Sequence, residues 1–265
     1  MNLEKIKHAG IITIPSLFTM GNIGCGFFSI MASINGHYSK AGWLIFIAML
    51  LDTFDGRVAR MLNAESSFGV EMDSLADLIS FCTAPAFLIY YIALQNITVF
   101  GAQIAFIFVL FGAIRLARFN AMAHAGKSSK QYFTGLPVPA AAAVLVSFAL
   151  SYNIFALDAN GKVMPFMQTY LPYIYNLIAF ITIGLALLMV SNIPYAAFKG
   201  KKENSQDTPH KKISVTKLAI IAIVIAFLFK YPQDVVFIVF GLYALMGVIM
   251  MIFKAFKNIS VKKEE

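Results

Sequence analysis

The chain has 265 residues, of which 59% are hydrophobic and only 13% are charged. That charged fraction is about half the ~25% of an ordinary soluble domain, which argues against a soluble enzyme. The formal net charge is +8, but the basic residues lie between long apolar runs, so anionic lipid headgroups are a better counter-charge than nucleic acid. The two cysteines fall inside apolar runs and indicate neither a disulfide framework nor a zinc site.

Apolar stretches long enough to cross a hydrocarbon core of ~30 Å recur along the whole chain. The predicted spans cover 12–34, 41–61, 73–95, 98–120, 136–157, 171–193, 214–230 and 235–253. They predict an all-α integral membrane protein of about eight transmembrane helices, organised as a single membrane domain over 1–265. A basic polar loop at 199–213 separates the last two spans, within 214–253, from the others.

The lysines are distributed unevenly between the two sides of the predicted bundle. They are concentrated in both terminal segments and in the loop at 199–213, whereas the opposite side has only Lys40, Lys162 and Lys230. Because cytoplasmic loops retain positive charge, we expect a multi-pass protein of the cell membrane with both termini, and the connection near 62–72, in the cytoplasm. A cleaved signal peptide is the alternative for the first apolar run, but no clear small-x-small cleavage site follows it.

Four aspartates interrupt the second and third predicted spans. Asp52 and Asp55 are three residues apart, and Asp73 and Asp77 are four apart, so each pair shares one face of a helix. Ionisable groups within a span are costly and indicate function by default. Four converging carboxylates would repel one another in a low dielectric, whereas two divalent cations would balance them, and oxygen ligands favour Mg²⁺, Mn²⁺ or Ca²⁺ over zinc. Structural ion pairing is the alternative, although the nearby arginines are too few to neutralise four acids.

Glycines and arginines close to the aspartates fit phosphate chemistry. Gly56 and Gly69 lack a β-carbon, which leaves room for a ligand to approach. Arg60 carries a guanidinium suited to a phosphate or a nucleotide. The alternatives are close helix packing for the glycines and a positive-inside anchor for Arg57 and Arg60.

The spacing Asp-x2-Asp-Gly-x2-Ala-Arg-x8-Gly-x3-Asp-x3-Asp runs from Asp52 to Asp77 without a departure. It resembles the signature of the CDP-alcohol phosphotransferases, which are membrane enzymes of phospholipid synthesis. The resemblance implies a catalytic six-helix core, here 12–193, usually in a homodimer, with a polar cavity that opens to the cytoplasm. It also implies two divalent metals on the four aspartates, with Asp77 as general base, and a CDP site lined by Gly56, Ala59, Arg60 and Gly69.

Further segments are similar to the multi-span phosphatidylserine synthases of that family. They are Arg-Leu-Ala-Arg-Phe-Asn at 115–120 and Tyr-Phe-Thr-Gly-Leu-Pro-Val-Pro-Ala at 132–140. The stretch from Pro15 to Asn22 resembles their first span, although Ser16 stands where the family generally has Asn, and it adds Asn22 to the CDP-lipid site. Independently of the resemblance, Arg115 and Arg118 share a helix face and are placed to meet a carboxylate or phosphate of the acceptor. Lipid headgroup anchoring is the alternative for both.

The resemblance implies transfer of the phosphatidyl group from CDP-diacylglycerol, or an ether-lipid equivalent, to L-serine. The implied cofactors are two cations, Mg²⁺ or Mn²⁺, with Ca²⁺ as a non-productive occupant. The implied partners are the CDP-lipid, serine, the membrane and a second copy of the chain, but no nucleic acid. One alternative is the same chemistry on glycerol 3-phosphate or inositol phosphate. A cation transporter is the other alternative, although the sequence shows neither repeats nor broken helices in matching halves.

Overall fold

The computed structural model describes residues 3–62, 66–97, 100–124, 132–156, 164–196 and 232–261. Nearly all of them are helical. The α-helices are α1 (Leu3–Ile34), α2 (Tyr38–Met61), α3 (Ser67–Asp77), α4 (Ala84–Ile92), α5 (Gly101–His124), α6 (Val138–Ala156), α7 (Pro165–Gln168), α8 (Leu171–Val190) and α9 (Pro232–Val261). A π-helical segment, Leu78–Thr83, joins α3 to α4, and a 3₁₀ turn, Leu94–Asn96, follows α4. Two three-residue strands, β1 (Tyr132–Thr134) and β2 (Pro194–Ala196), complete the described part.

Four of the described helical stretches are long and apolar enough to cross a membrane. They are Ser16–Ile34, Phe68–Ile92, Gly101–Met122 and Leu171–Val190, and shorter apolar stretches occupy Val138–Tyr152 and Gln233–Ile249. Large apolar side chains such as Leu17, Phe106 and Phe180 remain exposed, as on a surface that meets lipid. The prediction of a helical membrane protein is therefore confirmed, whereas eight crossings are not.

Two of the eight predicted spans account for part of the difference from the four candidate spans of the described residues. The span at 41–61 is a helix, α2, but its second half carries Asp52, Asp55, Arg57 and Arg60, which lower its hydropathy. The span at 214–230 lies outside the described residues.

Helix α1 packs along α2 and then crosses the π-helical segment. The turn between α1 and α2 includes Gly36, whose φ of 76° is accessible to glycine at little cost. At the crossing, the Ser80 hydroxyl donates to the main-chain oxygen of Asn22 at 2.9 Å. A β-carbon on Gly26 would lie only 2.9 Å from the Cα of Ser80, so the two backbones are in close contact. This crossing holds α1 against the end of α3 that carries the second pair of aspartates.

The π-helical segment begins directly after Asp77. The Thr83 hydroxyl donates to the carbonyl of Leu78 at 2.9 Å, five residues earlier, which is the spacing of a π turn. Within the segment Ser80 faces α1, and the sulfur of Cys82 fills the space where Gly112 of α5 lacks a side chain. The segment is thus fixed on two sides by small residues of neighbouring helices.

The two short strands are a feature that the sequence did not predict. They pair antiparallel, with Phe133 opposite Tyr195, and the N–H of Gly135 donates to the carbonyl of Ile193 at 2.9 Å. They connect the chain before α6 to the chain after α8. Tyr195 is 1% exposed, and its hydroxyl donates to the carbonyl of Ala244 in α9 at 3.1 Å.

Candidate active site

Helices α2 and α3 bring three of the four predicted acids into one cluster. One carboxylate oxygen from each of Asp52, Asp55 and Asp73 lies within 4.8 Å of the others. Asp55 is the most deeply buried, at 6% exposed, and its Oδ2 accepts a hydrogen bond of 2.9 Å from Thr19 of α1. The i to i+3 spacing on α2 therefore presents both of its aspartates to the facing helix.

Asp77 joins the cluster from the next turn of α3. Its carboxyl group is adjacent to those of Asp52 and Asp73, and it also interacts electrostatically with Arg115 of α5. One oxygen of Asp73 and one of Asp77, Oδ1 in each case, is buried and accepts no hydrogen bond within the described residues. Unpaired carboxylate oxygens that converge in a buried place suit a hard divalent cation, so the donor set fits the implied metals.

The other unpaired polar atoms of the described interior belong to α1 and α5, the two helices that also contact Asp55 and Asp77. Besides Asp73 and Asp77, the buried side-chain atoms without a partner belong to Asn22, through Nδ2 and Oδ1, and to Arg115, through Nε. Asn22 is fully buried and lies one turn beyond Thr19 on α1. Buried polar groups are normally satisfied, so their concentration here indicates a place for polar ligands.

Neither of the two predicted glycines lies at a helix crossing, and the space around Gly56 is open. A β-carbon on Gly56 would come no closer than 4.0 Å to any group, the nearest being Nη2 of Arg60. Gly69 belongs to the first turn of α3, where its N–H donates to Oγ of Ser66 at 3.0 Å. Close helix packing, the alternative interpretation, is observed at Gly26 but not at these two positions. Ala59 is partly buried beside Gly56, and Arg60 is exposed in the last turn of α2.

The two arginines of α5 have different surroundings. Arg115 is 8% exposed, and its guanidinium lies over the ring of Phe119 at 5.9 Å. Arg118 instead binds the end of α8. Its Nη1 donates to the carbonyl of Val190 at 2.9 Å and to Oδ1 of Asn192 at 3.3 Å, and its Nη2 donates to the carbonyl of Ser191 at 3.2 Å. These contacts give Arg118 a structural function, and its predicted role in acceptor binding stays a prediction.

Sequence reasoning gave no role to Thr19 or Asn120. Asn120 links α5 to α3, because its Nδ2 donates to Oγ of Ser74 at 2.9 Å and to Oε2 of Glu71 at 3.3 Å. Thr19 could have been found from its spacing, since Thr19 and Asn22 are polar residues three apart on an otherwise apolar helix. Asn120 ends the segment 115–120, which is similar to phosphatidylserine synthases, but nothing in the sequence indicates that it contacts Ser74 and Glu71.

A family model described as CDP-alcohol phosphatidyltransferase matches residues 12–189. The chain belongs to this family. It is 35% identical over 252 residues to a CDP-diacylglycerol–serine O-phosphatidyltransferase of Helicobacter pylori, covering 94% of this chain and 95% of the relative. An archaetidylserine synthase of Methanothermobacter thermautotrophicus is 37% identical over 202 residues, which is 76% of each chain. A CDP-diacylglycerol–serine O-phosphatidyltransferase of Bacillus subtilis is 36% identical over 186 residues, covering 70% of this chain and 91% of the relative.

The part shared with the CDP-alcohol phosphatidyltransferase family contains all the acids and both arginines of the site. The match ends one residue before the C-terminus of α8, so β2 and α9 lie beyond it. These two elements nevertheless contact each other next to the residues that Arg118 binds.

Proposed function

We propose that this chain transfers the phosphatidyl group of a CDP-linked lipid, with ester or ether chains, to the hydroxyl of L-serine and releases CMP. The serine oxygen forms a bond to the phosphorus that carries the lipid, and the bond from that phosphorus to the CMP oxygen breaks. The proposal rests on the convergence of Asp52, Asp55 and Asp73, with unpaired oxygens on Asp73 and Asp77, in a member of this family. The relatives named for serine support the choice of acceptor.

Two divalent cations, Mg²⁺ or Mn²⁺, would be held by Asp52, Asp55, Asp73 and Asp77, and Ca²⁺ would occupy the same place without supporting turnover. When bound, the cations would supply Lewis-acid polarisation of the diphosphate and charge stabilisation of the departing CMP. Thr19 fixes the orientation of Asp55 through its hydrogen bond, so that acid is held in place before a ligand arrives. Because this metal-binding side chain is already oriented, its conformation does not have to be ordered during the reaction.

Asp77 acts as the general base in this proposal. The serine hydroxyl is too weak an acid to lose its proton unaided near neutral pH, so a base within hydrogen-bond reach is required. The Oδ1 atom of Asp77 is buried and accepts no hydrogen bond from the described residues. That atom can therefore accept the proton, and the Arg115 guanidinium interacts electrostatically with the same carboxyl group.

The donor lipid would bind through Gly56, Ala59, Arg60, Gly69 and Asn22. The open space at Gly56 leaves room for the nucleotide, and the unpaired amide of Asn22 offers both a donor and an acceptor. The acyl chains would stay in the bilayer beside the exposed apolar faces. Neither half of the lipid then has to enter water.

The acceptor proposal predicts a selective effect at Arg115. Arg115→Ala should raise the KM for serine by more than about tenfold, because an unpaired carboxylate in a partly buried site costs on the order of 1.5–3 kcal/mol. The KM for the CDP-lipid should change little. Arg115→Lys should recover only part of the loss, since an ammonium cannot reproduce a bidentate contact. The measurement is serine-dependent CMP release at saturating CDP-diacylglycerol.

The matched control is Arg57→Ala, because Arg57 is exposed on α2 and has no part in the proposed site. Glycerol 3-phosphate and inositol phosphate should be assayed as alternative acceptors. If one of them supports CMP release and serine does not, the transfer chemistry stands and the acceptor is wrong. If only the KM for the CDP-lipid rises in Arg115→Ala, Arg115 belongs to the donor site.

We further propose an arrangement in the cell membrane with eight spans, both termini and the acid cluster on the cytoplasmic side. The catalytic core would be 12–193, followed by the loop at 199–213 and two more spans within 214–253, and two copies of the chain would form a homodimer. The lysine distribution supports this orientation. The family resemblance supports the six-helix core and the dimer.

The orientation predicts which introduced cysteines react with a membrane-impermeant thiol reagent. Ser205→Cys, in the basic loop, should be labelled only after the cells are opened. Asn96→Cys, in the turn after α4, is the matched control and should be labelled in intact cells, since that turn would face outward. The unmodified chain gives the background from Cys25 and Cys82. Labelling of Ser205→Cys in intact cells would show that the orientation is reversed.

A further inference from the structure

Helix α5 contacts the acidic part of the third long helix at two points. A β-carbon on Gly112 would overlap Sγ of Cys82, so α5 and the π-helical segment are in close contact there. At the second point, Nδ2 of Asn120 donates to Oγ of Ser74 at 2.9 Å, and that hydroxyl donates back to Oδ1 of Asn120 at 3.1 Å. The two points lie eight residues apart on each segment, in opposite directions along the chain. Helix α5 therefore runs antiparallel to α3 and the π-helical segment in a defined register.

This register places Arg115 at the level of Asp77. Arg115 follows Gly112 by three residues on α5, and Asp77 follows Ser74 by three residues on α3. Each of the two side chains therefore lies close to the helix face that carries a contact point. Both residues fall between the two points, which puts them within about one helical turn of each other along the axis. The electrostatic interaction between the guanidinium and the carboxyl group agrees with this placement.

Arg115 is held by its own helix and not by α3. Its guanidinium lies over the ring of Phe119, also on α5, at 5.9 Å from the ring centroid. Helix α5 is in turn fixed to the end of α8, where Arg118 donates to main-chain carbonyls. The spacing between Arg115 and Asp77 therefore depends on the contacts that hold α3 against α5.

The four aspartates are held together by other contacts. Helix α1 binds α2 through the hydrogen bond from Thr19 to Asp55, at 2.9 Å, and it crosses the π-helical segment at Ser80. Neither of these contacts involves α5. A change at the contact between α5 and α3 should therefore displace Arg115 from the acids without separating the acids from one another.

We propose that Asn120 is a positioning residue for the acceptor. By holding α3 and α5 in register through Ser74, it sets the spacing between Arg115, which would bind the carboxylate of serine, and Asp77, which would take the proton of the serine hydroxyl. The carboxylate and the hydroxyl of serine are only a few bonds apart, so both can be engaged at one spacing of the two side chains. The inference rests on the proposed transfer to serine and gives Asn120 a role that the sequence did not predict.

Ser74→Ala tests the proposal, because it removes the hydroxyl that Asn120 binds and changes the side-chain volume little. The kcat/KM for serine should fall about three- to tenfold, the range expected for the loss of one hydrogen bond. The KM for the CDP-lipid and the increase in melting temperature on adding Mg²⁺ should stay unchanged, because α1 still holds the acids together. Ser74→Thr, which keeps a hydroxyl, should restore the wild-type kcat/KM for serine.

The matched control is Ser151→Ala. The Ser151 hydroxyl also forms a hydrogen bond between two helices, since it donates to Oδ1 of Asp234 at 2.7 Å. That bond joins α6 to α9 and involves neither α3 nor α5. Ser151→Ala should therefore leave the kinetic constants for serine and for the CDP-lipid unchanged.

A double-mutant cycle of Ser74→Ala with Asn120→Ala separates positioning from direct binding of the acceptor. If Asn120 acts through Ser74, the double variant should lose no more kcat/KM for serine than Asn120→Ala alone. Losses that add would mean that Asn120 contacts serine itself and would overturn the proposal. An unchanged kcat/KM for serine in Ser74→Ala would overturn it as well.

Two further results distinguish this proposal from its alternatives. If Ser74→Ala raised the KM for the CDP-lipid and abolished the Mg²⁺-dependent increase in melting temperature, Asn120 would only hold α3 in the fold, and the positioning role would be refuted. A wild-type protein without serine-dependent CMP release would instead refute the proposed function itself.

Discussion

Asp73→Asn is expected to lower CMP release from CDP-diacylglycerol and serine by at least about a hundredfold, because a bound metal contributes several kcal/mol to the transition state. The substitution removes a negative charge and replaces one carboxylate oxygen by an amide nitrogen that cannot bind a cation. Asp52→Asn should have the same effect, since Asp52 and Asp73 both belong to the cluster of acids within 4.8 Å. The measurement is CMP release as Mg²⁺ or Mn²⁺ is titrated.

A second readout reports metal binding without turnover. Added Mg²⁺ or Mn²⁺ should raise the melting temperature of the wild-type protein, because a ligand that binds only the folded state stabilises it, and this increase should be lost in Asp73→Asn. Glu71→Gln is the control, since Glu71 lies on the same helix but is exposed and contacts Asn120. It should keep both activity and the metal-dependent stabilisation. Wild-type activity in Asp73→Asn would contradict the two-metal proposal.

Asp77→Asn should reduce kcat by about 10²- to 10⁴-fold, the usual contribution of a positioned general base. Asparagine occupies the same space and can still accept a hydrogen bond, but it cannot take the proton from the serine hydroxyl. Since a base acts in the transition state, the loss should be larger in kcat than in the KM or the equilibrium binding of the CDP-lipid. Steady-state kinetics and a binding assay with CDP-diacylglycerol measure the two effects separately.

Asp234→Asn is the matched control for that variant. Asp234 lies at the start of α9, where it accepts a hydrogen bond of 2.7 Å from Ser151, and no step of the proposed reaction uses it. This variant should turn over at the wild-type rate. A chain with Asp77→Asn that bound the lipid weakly but reacted normally at saturation would show that Asp77 serves the donor site and is not the base.

The convergence of the aspartates could be predicted because it depends on local geometry. Residues three or four apart share a helix face whatever the rest of the fold does, and the fixed spacing from Asp52 to Asp77 identified the family. The distinction between Arg115 and Arg118 could not be predicted in the same way. They are three residues apart on one face of α5. Only the position of the end of α8 decides which guanidinium donates hydrogen bonds to main-chain carbonyls.

Other features depend on contacts between distant parts of the chain. Nothing in the sequence pairs Tyr195 with Ala244, which lies 49 residues further along the chain, so the contact between β2 and α9 is seen only in the folded structure. The prediction of eight spans is not confirmed, for a different reason. Counting apolar residues treats α2 as a span, although four charges fall in its second half, and the same charges are what make α2 part of the site.

The π-helical segment after Asp77 separates the two halves of the third long helix. Because a π turn contains more residues than an α turn, it offsets the rotation of the acidic half, α3, from that of the apolar half, α4. Asp73 and Asp77 are oriented by α1, α2 and α5, whereas Ala84, Leu88 and Ile89 are oriented by the hydrophobic core. The offset therefore lets the carboxylates of α3 face the other aspartates while the apolar side chains of α4 face the core.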